Sequence, residues 1–173
     1  MDDVTLLDID GTTIGRSPRL LVHTTDTPLH LGFSCYLVGD EGRILVTRRA
    51  LGKRTWPGVW TNSFCGHPRP DESVDDAVHR RADEELGVSI ASLRTVLPDF
   101  RYRAVDASGI VENEICPVHV AEIRGELSPD PDEVAEWAWT EPEKLIEAIR
   151  SAPYAFSPWM REQLELLHAL GEV

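Results

Sequence analysis

The sequence is poor in cysteine and in positive charge, and it has no long apolar run. Its three cysteines, Cys35, Cys65 and Cys116, are an odd number without framework spacing. That pattern argues against a disulfide scaffold, predicts a reducing compartment and leaves any one thiol open to chemistry. Seventeen Lys and Arg stand against thirty Asp and Glu, a formal net charge of -13. So acidic a chain is a poor partner for nucleic acid or an anionic membrane surface. An anionic substrate would have to be held by a few local cations against the overall field. No apolar run reaches membrane-spanning length. The start, "MDDVTLLDIDG", is acidic where a secretory signal is basic. These features predict a cytoplasmic protein with no membrane or nucleic-acid partner. No repeat, low-complexity stretch or Pro/Gly-rich linker divides the chain, so residues 1–173 are expected to form one domain. No coiled-coil heptad is present, and a monomer is expected.

What is there reads as strands in runs with a few helices, an α+β pattern. "VTLLDID", "FSCYLV", "RILVTRR" and "VWTNSF" are expected strands, with "GDEG" a hairpin between the second and third. "SVDDAVHRRADEELG" is the best helix, with Ser73 as cap and Gly87 as stop. Its apolar positions Val74, Ala77, Val78, Ala82 and Leu86 keep helical spacing. "SLRTVLPDFRYRAV" and "IVENEICPVHVAEI" read as two long strands joined by a "DASG" turn, and "EVAEWAWT" as another strand. "TEPEKLIEAIR" opens on a capping box, Thr140 with Glu143. "SPWMREQLELLHAL" is a last helix, with Ser157 as cap and Pro158 at its first position.

Two motifs compete for a function. "LLDIDGTT" matches the Asp-x-Asp-Gly-Thr pattern of haloacid dehalogenase-type phosphatases, in which Asp8 would be nucleophile and Asp10 acid. Without a parallel βαβ core behind it, the same run is a strand followed by a tight turn of ordinary turn formers. The second motif is "WTNSFCGHPRPDES", which sets Cys65, Gly66 and His67 in a row before the helix. A metal site, a nucleophile and a buried thiol would each explain it.

From Gly66 the chain reads "GHPRPDESVDDAVHRRADEELGV", with Glu72 and Arg80 at fixed offsets. It resembles the Nudix box, a loop–helix–loop that presents carboxylates to a metal on a substrate's diphosphate. One position departs: Arg81 stands where hydrolases carry Glu. A cation there weakens magnesium recruitment and favours direct phosphate contact. "HTTDTPLHLGFS", "RRALGKRTWPGVWTNSFCGHP", "PDFRYRA", "GIVENEICPV" and "FSPWM" extend the match. Together, from about Leu6 to Leu166, the chain resembles the metal-dependent, type I isopentenyl diphosphate isomerases. The resemblance implies a Nudix-like mixed β-sheet sandwich flanked by helices.

Site residues follow from it. His23 and His30 flank a loop containing Pro28, which keeps them off one continuous helix. Glu112 and Glu114 are two apart in a strand pattern and so point to one face. By resemblance these four and His67 bind one divalent ion, and three imidazoles with two carboxylates suit manganese or zinc. Taken singly, each histidine is an ordinary core or surface residue. By resemblance Glu85 helps hold magnesium on the substrate diphosphate; alone it reads as an i,i+4 partner of Arg81. Arg19, Arg49, Lys53 and Arg81 resemble a phosphate clamp, though each could be a plain solvated charge.

The implied reaction interconverts isopentenyl and dimethylallyl diphosphate through a tertiary carbocation. An unactivated alkene is a very weak base, so a placed acid and a dry pocket are required. The resemblance assigns proton exchange to Cys65 on one side of the substrate and Glu114 on the other. It has Tyr102 bond Glu114, and Trp159 lay its indole face on the cation. Without the resemblance Cys65 is a small buried hydrophobe and Trp159 plain packing. The alternatives are a Nudix hydrolase of a nucleoside or prenyl diphosphate and a non-catalytic binding module.

Overall fold

The structure, a computed structural model, describes residues 3–173. Met1 and Asp2, part of the acidic start, lie outside the described residues. In chain order the first elements are β1 (Asp3–Leu7), β2 (Thr13–Pro18), the single turn α1 (Arg19–Val22), β3 (His30–Leu31) and β4 (Phe33–Leu37). Next come β5 (Ile44–Arg49), β6 (Trp60–Thr61), β7 (Phe64–Gly66), α2 (Val74–Leu86), β8 (Ser89–Leu97) and β9 (Arg101–Val105). The last are β10 (Val111–Ile115), β11 (Val118–Arg124), β12 (Val134–Thr140), α3 (Pro142–Ser151) and α4 (Pro158–Leu170). Strand orders are β2-β1-β3-β10-β9, β7-β4-β11-β8 and β12-β5-β6. The β3–β10 and β4–β11 pairs are parallel, while the others are antiparallel, so the first two sheets are mixed.

Four chain segments change sheet part-way along, and those breaks make the site. β3 gives way to β4 at Gly32, β6 to β7 at Asn62–Ser63, β8 to β9 at Pro98–Phe100, and β10 to β11 at Cys116–Pro117. The runs "SLRTVLPDFRYRAV" and "IVENEICPVHVAEI" are therefore not single strands. Proline has no N–H for a ladder and bends the chain out of its sheet at Pro98 and Pro117. The "DASG" turn does close the β9–β10 hairpin, with Asp106 N–H donating to Ile110 O at 2.9 Å.

α2 is capped as its sequence requires. Ser73 Oγ accepts from Asp76 N–H at 3.1 Å, and Gly87 stops the helix at φ 67°, a left-handed conformation suited to glycine. Its apolar stripe of Ala77, Val78, Ala82 and Leu86 packs on Phe33, Cys35 and Leu37 of β4. Tyr36, pointing the other way, joins Val118 and Val120 under Leu145, Ile149, Met160 and Leu164 of α3 and α4. Helices thus cover both faces of the β4–β11 sheet, which explains why β4 is buried along its whole length. Each large side chain fully buried here contributes about 1.5–3 kcal/mol.

Three local expectations are corrected. β12 runs on through Thr140, which pairs with Ile44, so Glu141 takes the cap position of α3 and no Thr140–Glu143 box forms. Ser157 precedes α4 as expected, but its hydroxyl bonds Thr61 Oγ1 at 2.8 Å rather than the helix. The "GDEG" turn exists, yet β4 and β5 meet only at a Val38–Ile44 bridge and then enter different sheets. At the N-terminal end, β1 pairs antiparallel with both neighbours, and Asp8 Oδ1 accepts from the N–H groups of Asp10 and Thr12. "LLDIDGTT" is a strand and an Asx-type turn. Among the described residues no helix is long and apolar enough to cross a membrane.

Candidate active site

The sheet breaks open a cavity of about 340 Å³, within the ordinary range for small-molecule sites. Eleven residues singled out from the sequence line it: Cys65, Glu114, Tyr102, Trp159, Arg19, Arg49, Lys53, Arg81, His23, His67 and Glu112. His30 lies fully buried in β3, and Glu85, also buried, is held from behind the wall by Arg81.

On one wall three histidines and two glutamates gather. One ligand atom from each of His23, His30, His67, Glu112 and Glu114 can be chosen so that all lie within 4.8 Å of one another. Strand alternation brings Glu112 and Glu114 to this wall, and parallel pairing sets Glu114 beside His30. His67 Nε2 is 2.9 Å and His30 Nε2 3.4 Å from Glu114 Oε1. His30 Nδ1 sits 2.9 Å from Pro28 O; donating there, the neutral ring offers an Nε2 lone pair to the cluster, while the protonated ring donates from Nε2 to Glu114 instead. Yet His30 Nε2 and His67 Nε2 are only 3.3 Å apart. His23 Nε2 and Glu112 Oε2 are 2.8 Å apart but misaligned, and neither buried atom has a hydrogen-bond partner. Converging lone pairs and orphaned buried acceptors are what a divalent cation satisfies, and this donor set fits one. Thr55 Oγ1 donates to Glu112 Oε1 at 2.9 Å and holds it in place.

Charge follows the same geometry. Burial pushes the Glu114 carboxyl up, but hydrogen bonds from His30 and His67 outweigh it and hold the pKa well below the usual carboxylate range. Burial lowers His30, but Glu114 reverses this and leaves it above the ordinary imidazole value. His67 stays below that value because burial dominates.

Facing this cluster are a thiol and aromatic rings. Burial pushes Cys65 up to about 11, so the sulfur keeps its proton at neutral pH. Trp159 is buried at the start of α4, with Tyr102 tilted against it at 5.5 Å and Trp56 edge-on at 5.4 Å. The Arg49 guanidinium lies 5.7 Å from the Trp159 ring centroid. Tyr102 stands opposite Glu114 in the β9–β10 ladder. Among the described residues no hydrogen bond joins the two; Glu114 Oε1 instead meets His67 Nε2.

At the mouth the clamp cations are already engaged. Arg81 pairs with Glu85 and, at 3.4 Å, with Glu133, while Lys53 contacts Glu133. Burial chiefly, with Arg49, Arg81 and Arg19 nearby, lowers Lys53 to about 8 against the opposing pull of Glu85. From α2, Arg80 reaches back to Glu72 at 2.7 Å and His67 O at 3.3 Å, fixing the turn that carries His67. Sequence reasoning missed Glu133, Thr55 and Asn62. Thr55 and Asn62 lie inside the quoted motifs, but no pattern there singles them out; nothing local marks Glu133.

The layered mixed sheets, the loop before α2 and the cation-lined cavity with its carboxylates define a Nudix-class protein. Residues 28–165 match the NUDIX domain family. The fold is shared with DR0079 from Deinococcus radiodurans, at TM-score 0.74, 19% identity, and 94% and 97% of the two chains covered. A protein of Clavibacter sepedonicus named isopentenyl-diphosphate Delta-isomerase is 62% identical over 165 residues, 95% of this chain and 87% of the relative. One of the same name from Paenarthrobacter aurescens (strain TC1) is 59% identical over 167 residues, 96% of this chain and 91% of the relative. The chain belongs to the isopentenyl-diphosphate Delta-isomerase family of NUDIX-domain proteins.

Proposed function

We propose that this chain is an isopentenyl-diphosphate Delta-isomerase, interconverting isopentenyl and dimethylallyl diphosphate. The observation that carries the reading is the meeting of Cys65 and Glu114, from two different sheets, in one aromatic-walled cavity with cations at its mouth. Arg49, Lys53, Arg81 and Arg19 bind the diphosphate and place the five-carbon chain inside. A proton is delivered to the alkene carbon at one end, leaving a tertiary cation, and another is removed from the carbon on the far side. Cys65 and Glu114 are the two exchanging groups. Trp159 offers its ring face to the cation, a contact of about 2 kcal/mol when desolvated. Tyr102 and Trp56 keep water from capturing it.

His23, His30, His67, Glu112 and Glu114 would hold a divalent ion, manganese or zinc in this reading. Such an ion, when bound, supplies positive charge that keeps Glu114 fixed and ionised. Glu85 would help hold a magnesium ion that supplies positive charge to the diphosphate. The same reading makes the chain a cytoplasmic monomer without nucleic-acid or membrane partners.

Hydrolysis of a diphosphate is the weaker reading, because Arg81 takes the place of a carboxylate and is itself paired with Glu85. Incubation with isopentenyl diphosphate separates the two. Formation of dimethylallyl diphosphate with the diphosphate intact supports isomerisation, and release of phosphate overturns it.

A further inference from the structure

Between β6 and β7 the chain leaves the ladder for two residues, and both are fully buried. Thr47 Oγ1 donates to the carbonyls of Asn62 and Ser63, at 3.0 and 3.2 Å, which replaces the lost strand pairing. The Asn62 side chain is then aimed into the protein, where a polar group is costly unless bonded.

Every polar atom of that amide is used. Nδ2 donates to Cys35 O at 3.1 Å and Phe64 O at 2.7 Å. Oδ1 accepts from Cys65 Sγ at 3.2 Å, Trp159 Nε1 at 3.0 Å and Thr61 Oγ1 at 2.9 Å. An indole N–H can only donate, so the reverse orientation of the amide would set donor against donor; the oxygen must face Trp159 and Cys65. One atom therefore holds both the thiol and the ring.

A second path ties the same two elements. Gln163, one helical turn beyond Trp159 on α4, donates from Nε2 to Ser34 Oγ at 3.0 Å and accepts from Tyr36 O–H at 3.0 Å. Ser34 Oγ in turn lies 3.4 Å from Cys65 Sγ. α4 thus reaches the sulfur through Trp159 and Asn62 on one side and through Gln163 and Ser34 on the other. Such supporting hydrogen bonds hold reacting groups in productive geometry.

Resting on the isomerase reading, we infer that Asn62 is a positioning residue of the reaction, fixing the Cys65 sulfur relative to the Trp159 ring. Asn62 itself is sealed from the cavity, so its effect reaches the substrate through the groups it holds, of which Cys65 and Trp159 line the cavity.

The test is Asn62→Ala, compared with the unchanged protein in an isopentenyl diphosphate isomerisation assay. A misplacement of about 1 Å at reacting groups costs about 10²-fold, and a kcat loss of that order with KM nearly unchanged is expected. If kcat holds, or the loss is carried by KM, the inference is overturned. A lack of turnover by the unchanged protein would instead overturn the isomerase reading. Should Asn62→Ala fail to fold, the indole ¹⁵N–¹H spectrum decides. The signal lost in Trp159→Phe should shift in Cys65→Ala, because the two donors share an acceptor. An unmoved signal overturns the inference.

Discussion

The Nε2 atom of His67 lies 2.9 Å from Oε1 of Glu114. This contact joins the end of β7, which carries Cys65 two residues earlier, to the strand that carries Glu114. Neither group is placed by its own strand alone. The ladders bring β7 to β4 and β10 to β3, and the histidine–carboxylate cluster locks those two assemblies together. The thiol and the carboxylate owe their shared cavity to that lock.

If both groups exchange protons with substrate, Cys65→Ala and Glu114→Gln should each reduce turnover to background while leaving the circular dichroism spectrum intact. General acid–base groups contribute about 10²–10⁴-fold each. Near-normal turnover by either folded variant would remove the two-sided proton exchange.

Gly32 is the residue that lets Glu114 reach its place. A Cβ built on Gly32 would come within 2.7 Å of the Glu114 carboxyl carbon, closer than real Cβ contacts. Gly32→Ala should therefore push the carboxylate away from His30 and His67. The expected kcat loss is about 10²-fold, from a displacement on the order of 1 Å. Unaltered kcat would show that Glu114 tolerates movement.

Lys53 should set the alkaline limb of the pH profile. With its pKa lowered to about 8, chiefly by burial, the ammonium form binds diphosphate below that pH and is lost above it. Because kcat/KM reports the free enzyme, it should fall as pH rises through about 8. Lys53→Arg keeps its charge at all such pH values and should flatten that limb. A limb unchanged in Lys53→Arg would assign it to another group.

Metal removal should act on stability as well as on rate. Dialysis against a chelator is expected to abolish turnover and lower Tm, and added divalent ion to restore both. An ion present at about 100 times its Kd stabilises the fold by about 2.7 kcal/mol. Full activity in a sample shown free of metal would contradict the assignment of the histidine–glutamate cluster.

Much of the site was legible because it is written in short runs. Glu112 and Glu114 share a face by strand alternation, and α2 carries its own cap at Ser73 and stop at Gly87. Local pattern could not show which sheet a strand would join. That is why the runs through Pro98 and Pro117 read as continuous strands, and why β2, β3 and α1 carry no local mark. Thr140 looked like a cap because its pairing with Ile44, far away in sequence, is invisible in the local run. Glu133 escaped for the same reason: its partners Lys53 and Arg81 come from a loop and a helix well before it. Asn62 sat within the motif that drew attention, yet its value lies in a contact to Trp159, 97 residues on.

The most direct measurement is to incubate the metal-loaded protein with isopentenyl diphosphate in deuterated water and to read the products by NMR and mass spectrometry. Dimethylallyl diphosphate carrying solvent deuterium, with the diphosphate intact, is the expected result. Unlabelled isopentenyl diphosphate recovered unchanged, or prenyl monophosphate with free phosphate, would contradict the assignment of proton exchange to this cavity.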